Sequence, residues 1–449
     1  MPSNLFVYRA TICLIWALAL WHSWTCRGLF VDGSAFLVQI VRREWFFDFY
    51  APRLYAMIVG QIPVMTAVTL GVTDLHLLGR LLSLGLFGLP TLFYTFALHR
   101  VKDEPVLMAI VIAAIAIVFM TTSFFIIGEY NTAYAICMMV AVRLATAERL
   151  TYPDSIVLVL AAALATRTYE VMIYLGPLMA SMVLWRVWRV PARPIVPTLL
   201  HLAAVGFFIF SMFVAIDSVV HPHSAEHLVE SWHQAFFFWQ NLQFDFVFVA
   251  ALIVVVWALL RPGDLNQLRP YRWALICLAI LALSPLLALT DTLVRPLAKS
   301  QYVARMASGL VIAFMIIVIW ACKAKPGRTL PAFAAFAEPA AGRRLLAFAG
   351  VMLLAVIPSD LFLTATWSRY LDALATTVRN NTGVIAFEDT PLAKRPHNLL
   401  VENWVLTTQS LALRSKANDG VVSPPRGFDE WVPFPPREPP NIGQFFWRY

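Results

Sequence analysis

Charge is scarce in this sequence: Asp, Glu, Lys and Arg make up 13% of its 449 residues, about half the share of an ordinary soluble domain, ~25%. That scarcity excludes a water-soluble globular class for most of the chain. Cysteine is thin as well. The five cysteines stand at 13, 26, 137, 277 and 322, within or at the ends of apolar runs, and none forms a C-x-x-C pair. Neither a disulfide framework nor a zinc site organises such a chain. Also missing are a nucleophile elbow, a Walker loop and a glycine-rich dinucleotide turn, so no hydrolase, nucleotide-phosphate or dinucleotide signature is present.

What fills the space is apolar. Hydrophobic residues are 60% of the sequence, in recurring runs near the ~20 residues that cross a bilayer. The chain therefore reads as an all-α polytopic membrane protein. Its net charge of +8 is scattered through short loops rather than gathered on one face. That pattern argues against nucleic acid and acts as a topology signal. The basic loops are those with His99, Arg100 and Lys102; Arg143 and Arg149; Arg186, Arg189 and Arg193; Arg261, Arg269 and Arg272; and Lys323 to Arg344. Placing them in the cytoplasm gives about eleven spans, with the N-terminus inside and the C-terminus outside. The first apolar segment, Ala10 to Cys26, reads as a retained span. Arg53–Val72 is interrupted by Gly60, Gln61 and Pro63 and reads as interfacial or re-entrant.

Between the basic loops the outward side receives a series of charged corners. The first is residues 27–52, with Asp32 at the head of a Ser34–Phe47 segment. There Phe36, Leu37, Ile40, Val41 and Phe47 share one helical face and Ser34, Gln39, Arg42 and Arg43 fall largely on the other, the pattern of a helix lying along a membrane surface. The second corner is Ile126–Tyr134, IIGEYNTAY, with Glu129. The third is Ala165–Tyr174, ATRTYEVMIY, with Arg167, Tyr169 and Glu170. Ionisable groups at such depth are costly unless paired or hydrated, so they are candidates for function. The bland alternative at the third corner is an Arg167–Glu170 pair that locks a helix.

Residues 218–245 hold His221, His223, His227 and His233. Their spacing could serve a metal, but histidines in polar loops are more often simply solvated. Aromatic residues 232 and 236–239 of the same loop fit an interfacial helix beside a lipid or a sugar. At 291–309, Arg295, Lys299, Tyr302 and Arg305 stand on the outward edge of a span, where the positive-inside rule disfavours cations. A phosphate, or anionic lipid headgroups, would account for them. Residues 1–363 make the transmembrane domain and 364–449 a small extracytoplasmic α/β module. In that module Thr364–Arg379 reads as helix, and Gly383–Phe387 and Val401–Leu406 as strands.

This arrangement resembles the GT-C superfamily of integral membrane glycosyltransferases, which includes protein O-mannosyltransferases and the lipid A aminoarabinose transferase. The likeness rests on VDGSAFLVQIVRREWF after the first span, Gly79–Arg80–Leu81 opening a later one, Glu129 and Arg167 at successive corners, and Gln301–Arg305 near a late span. It covers roughly residues 1–190 well and the remainder loosely. Many relatives have two consecutive acids where this chain has Asp32–Gly33.

The resemblance implies transfer of a sugar from a polyprenyl-phosphate donor to an envelope glycan, lipid or protein acceptor, by a single inverting displacement. Asp32 would be the base and Glu129 its companion. Arg80, Arg167, Tyr169, Glu170, Arg295, Lys299, Tyr302 and Arg305 would bind substrate. No cofactor is implied, with room for a divalent cation. Membrane lipid is the other expected partner, and the expected location is the bacterial inner membrane. The competing classes are a lipid-linked sugar flippase or transporter, whose polar groups would gather at mid-membrane, and a noncatalytic envelope scaffold.

Overall fold

The first helix begins where Ser3 caps it, its hydroxyl accepting from Phe6 N at 3.2 Å, and α1 then runs Asn4–Trp24 without an interior charge other than Arg9. Such capping by a short polar side chain recurs before the longer α4, Leu75–Arg100, where the Asp74 carboxylate accepts from His76 N and Leu77 N. Between them lie α2 (Asp32–Arg43) and α3 (Leu54–Thr69). Continuing along the chain are α5 (Pro105–Ala114) with a wide π-turn stretch at Ile115–Met120, α6 (Glu129–Thr146), α7 (Tyr152–Ala165), α8 (Met172–Arg189) and α9 (Ile195–Val220). The last are α10 (Leu242–Leu260), α11 (Pro270–Thr290), α12 (Ser308–Lys323), α13 (Pro339–Asn380) and α14 (Leu406–Ala412).

The computed structural model describes residues 3–122, 128–190, 193–222, 229, 239, 241–260, 270–290, 306–323, 339–394, 400–416 and 418–425.

The chain is a helical membrane protein. Four described helices are long and apolar enough to cross a bilayer: Asn4–Trp24, Leu75–Arg100, Ile195–Val220 and Ala340–Asn380. Pro105–Met120, Tyr152–Ala165, Leu242–Trp257, Leu275–Leu286 and Ser308–Lys323 are shorter apolar helices. At the centre stands α6, packed by α3, α4, α7, α8 and α12. Nearly all of its residues are buried. A helix surrounded by protein has no lipid face to keep apolar, which is why α6 carries Glu, Asn, Thr and Tyr that a lipid-facing span would exclude.

The segment that opens with Arg53 forms α3, a helix of 16 residues, shorter than the ~20 that span a bilayer. Its interruptions have local uses. Gln61 clamps the preceding chain by accepting from Phe47 N at 2.8 Å and donating to Phe47 O at 2.9 Å. A Cβ on Gly85 would overlap the Gly60 carbonyl, so this glycine pair sets the close approach of α3 to α4.

Two expectations for the extramembrane parts are corrected. The segment from Ser34 does not lie on a surface with a polar face in water. Helix α2 ends at Glu44, which adopts a left-handed conformation, and Gly33 through Val41 are buried all round, Ser34 and Gln39 included. The cover is α14 of the C-terminal module, whose Thr408 hydroxyl lies 3.1 Å from that of Ser34. An amphipathic pattern cannot distinguish water from a polar protein surface. Likewise, Val401–Leu406 is no strand: its described residues enter a 3-10 turn at Asn403–Val405 and then α14. The partner of β1 (Val384–Ala386) is instead β2 (Val421–Ser423), parallel, with Ile385 opposite Val422. Thr364–Arg379 is helical as expected and belongs to one continuous helix, α13.

Candidate functional site

Asp32 opens α2 from a loop held in uncommon backbone conformations. Cys26 sits at φ 51° and Val31 at φ 55°, ψ −125°. A β-branched residue at positive φ costs on the order of 1–3 kcal/mol and persists only where its surroundings over-determine it. Those surroundings are specific. Gly28 N donates to Ser83 Oγ of α4 at 2.9 Å, and Trp367 Nε1 of α13 donates to the carbonyls of Thr25 and Cys26 at 3.1 and 3.3 Å. Gly33 packs so closely on Gly28 that any Cβ would overlap the Gly28 carbonyl oxygen. Position 33 therefore accepts no second acid, which accounts for the single carboxylate here.

Glu129 is the first residue of α6 and is 5% exposed. The positive end of the helix favours an anion at this place. The charges of Arg53, Asp32 and Glu170 all act on its carboxyl, so the first, second and third corners meet at one end of the bundle.

Arg53 is the group that joins them. Its Nη2 and Nε both donate to Glu170 Oε1, at 2.7 and 3.0 Å, and its guanidinium lies 4.8 Å from the Tyr169 ring centroid. Burial alone would lower the Arg53 pKa, but Glu170, Tyr169 and Glu129 outweigh burial and hold it above its ordinary value. It is a permanent cation at any accessible pH. Tyr169 continues inward, 5.7 Å from the Tyr130 ring, whose hydroxyl donates to Thr122 O at 2.7 Å just beyond the π-turn stretch.

The Arg167–Glu170 pair, the bland alternative at this corner, is not formed, since Glu170 gives its carboxylate to Arg53. Arg167 flanks the site instead. Its carbonyl accepts from Tyr55 N at 3.0 Å and its guanidinium stands 5.9 Å from the Tyr55 ring centroid. Arg80 is not brought in at all. It stacks on Trp24 at 3.7 Å and donates to the Trp24 carbonyl, closing the end of α1. Arg295, Lys299, Tyr302 and Arg305 lie outside the described residues, as do His223, His227 and His233. His221 is exposed, its Nδ1 3.0 Å from Asp217 of the preceding turn. No group of three or more His, Cys, Asp or Glu among the described residues could hold a metal ion.

A second polar cluster joins the last turns of α1 and the turn after it to α13. Asp360 Oδ1 accepts from Arg27 Nη1 at 2.7 Å, Asp360 Oδ2 lies 2.8 Å from His22 Nε2, and Arg27 Nη1 also donates to Thr364 Oγ1 at 2.8 Å. His22, Arg27 and Asp360 are each under 5% exposed. Arg27 sits over the Phe87 ring at 5.5 Å and its field reaches Tyr130, beside Glu129. Sequence reasoning did not single out Arg53, His22, Arg27 or Asp360. A signal existed for two of them, because His22 and Asp360 are ionisable residues inside apolar runs, a rare and informative placement. Arg53 gave none, as it looks like the flank of an apolar segment.

Comparison of the chain with protein-family models, with characterised proteins and with solved structures gave no match.

Proposed function

We propose that this chain is a membrane-embedded glycosyltransferase of the GT-C kind. It moves a sugar from a polyprenyl-phosphate donor to an envelope glycan, lipid or protein at the outward face of a bacterial inner membrane. The observation that carries this reading is the meeting of Asp32, Glu129 and the Arg53–Glu170 pair at one end of the bundle, on three sequence corners assigned to the same side by loop charge. In the proposed reaction Asp32 takes the proton of the acceptor hydroxyl. The acceptor oxygen bonds to the anomeric carbon from the face opposite the phosphate, and the bond from that carbon to the phosphate oxygen breaks, inverting the centre. Glu129 orients the acceptor, Arg53 offsets the mutual repulsion of the neighbouring carboxylates and so holds them together, and Tyr169 offers an aromatic face. Arg295, Lys299 and Arg305, with Tyr302, are assigned to the departing lipid phosphate. The accompanying topology is eleven spans, N-terminus in the cytoplasm and C-terminal module in the periplasm.

The test is incubation of the purified protein with a panel of polyprenyl-phosphate sugars, scored for release of the lipid phosphate. No release from any donor, with the protein folded, would reject transfer. A transport reading draws on the buried His22–Arg27–Asp360 cluster, the kind of group that lines ion and substrate paths. Movement of an intact lipid-linked sugar across proteoliposomes, without lipid-phosphate release, would favour it.

A further inference from the structure

A cleft of about 740 Å³ lies outside the site described above, where α13 ends and the C-terminal module begins. One wall is the end of the helix from Asp372 to Asn380, and the other is the chain that follows, through β1 to Pro391. Gly383, at φ 73°, turns the chain out of the helix. The 3-10 turn Pro391–Ala393 then comes back against α13, with Leu392 fully buried. The cleft is thus held open between two anchored walls, and its volume falls within the ~300–1,000 Å³ of small-ligand sites.

The chemistry of the lining selects the occupant. Thr376 and Thr377 are already bonded within the helix, their hydroxyls donating to the carbonyls of Asp372 and Ala373 at 2.7 and 2.8 Å. In contrast, the Asp372 and Asp389 carboxylates, the Asn380 amide and the Thr382 hydroxyl make no side-chain hydrogen bond among the described residues. All four residues are exposed and open to a ligand. Carboxylates only accept, so the ligand must be rich in donors. No Lys, Arg or His lines the cleft among the described residues, so a phosphate or a uronate would meet two carboxylates with nothing to offset them. The opposite wall is aliphatic, with Val384 at 79% exposure beside Ile385, Ala386 and Pro391. A neutral sugar ring presents hydroxyls at its edge and C–H groups on its face, and so matches both walls. Amide and hydroxyl groups beside an aliphatic surface match it more closely than they match the single charge of an amine.

We infer that this cleft binds the acceptor, and that the acceptor is a glycan of uncharged sugars. Its role as acceptor rests on the transferase reading above. The position suits it. Asp372 lies about 7.5 Å along α13 from Trp367 at the ~1.5 Å rise per residue of an α-helix, and Trp367 holds the loop before Asp32. The charge of Asp372 also acts on His76 in the first turn of α4. The cleft and the Asp32 loop therefore share one end of the bundle.

The experiment measures binding of trisaccharides of neutral hexose, N-acetylhexosamine and hexuronate, and of trilysine, to the purified full chain by NMR with no donor present. The same titrations are run on Asp389→Ala, Asn380→Ala and the near-isosteric Asp372→Asn. At least one neutral trisaccharide should bind, and the hexuronate should not. Each variant should weaken binding about tenfold, the scale of one well-made hydrogen bond, and melt with the wild type, since these side chains are exposed. Absence of neutral-sugar binding overturns the inference, as does binding that none of the variants weakens or a hexuronate bound equally well. Trilysine bound in place of the sugars would assign the cleft to a protein partner and overturn it too. Sugar binding lost in the variants, in a chain that releases lipid phosphate from no donor, would support a glycan site while rejecting transfer, which separates the two failures.

Discussion

At the scale of single residues, the site is a set of charges held in place by neighbours with no role of their own in bond making. Asp32→Asn should lower transfer by about 10²–10⁴-fold, the usual worth of a general base, and leave the melting temperature unchanged. Steady-state rates with the responsive donor, set beside thermal unfolding in detergent, check both halves, and near-normal transfer would remove Asp32 from the mechanism. The Arg53–Glu170 pair is intermediate in exposure, each side chain at 22%, so its loss should cost more than a surface pair and less than a fully buried one. Arg53→Met should destabilise by about 1–3 kcal/mol, read from denaturation midpoints. The Arg27–Asp360 contact is nearly dry, with side chains 1% and 3% exposed. Asp360→Leu alone strands a buried cation and should cost about 3–5 kcal/mol, whereas Arg27→Met with Asp360→Leu should recover much of that loss. A double variant no more stable than the single would show that the two charges are not a pair.

At the scale of elements, the organising piece is the loop and helix from Arg27 to Arg43, pinned below by α4 and α13 and covered above by α14. Gly33→Ala tests that pinning. The added methyl has no space beside the Gly28 carbonyl, so the loop must shift and transfer should fall even though Asp32 is intact. Wild-type rates in Gly33→Ala would refute the tight loop. In the C-terminal module, the turn that delivers β2 is closed by Asp419, whose Oδ2 accepts from Ser415 N, Lys416 N and Ser415 Oγ at 2.6, 2.9 and 3.0 Å. Burial is the largest single influence and pushes the carboxyl up, but those bonds together with the charge of Arg414 outweigh it and hold its pKa below the usual carboxylate value. A depressed folded pKa means the turn's stabilisation is present above the ordinary carboxylate range, ~pH 4, and lost as pH falls through the lowered value. Amide protection factors, taken relative to the intrinsic rate at each pH, at residues 415, 416 and 418–420 should therefore fall on acidification in the wild type, and Asp419→Asn should remove most of that pH dependence. An unchanged profile in that variant would assign the turn's stability elsewhere.

At the scale of the whole molecule, α13 ties the parts together. It begins with residues assigned to the cytoplasm, passes Asp360 and Thr364 against Arg27, meets the loop before Asp32 through Trp367, and reaches the module where the Tyr370 hydroxyl donates to Gln409 Oε1 at 2.7 Å. If loop charge orients the chain as proposed, alkaline phosphatase fused to the C-terminus should be active in the periplasm and a fluorescent protein fused there should stay dark. The reverse result would invert the assignment of the site to the outward face.

The sequence by itself determined the class: low charge and repeated apolar runs leave a chain no option but helices that satisfy their own backbone in lipid. It also marked Asp32, Glu129 and Glu170, since a carboxylate beside an apolar run is improbable without a reason. Partners were beyond it. Period and composition show which side of a helix is polar, not what that side meets, so α2 looked water-facing while its Ser34 was bound for Thr408. Arg53 and Glu170 are 117 residues apart and Arg27 and Asp360 are 333, distances over which local pattern carries no information. Only the packing of α3 into the bundle and of α13 against α1 decided that these charges would meet.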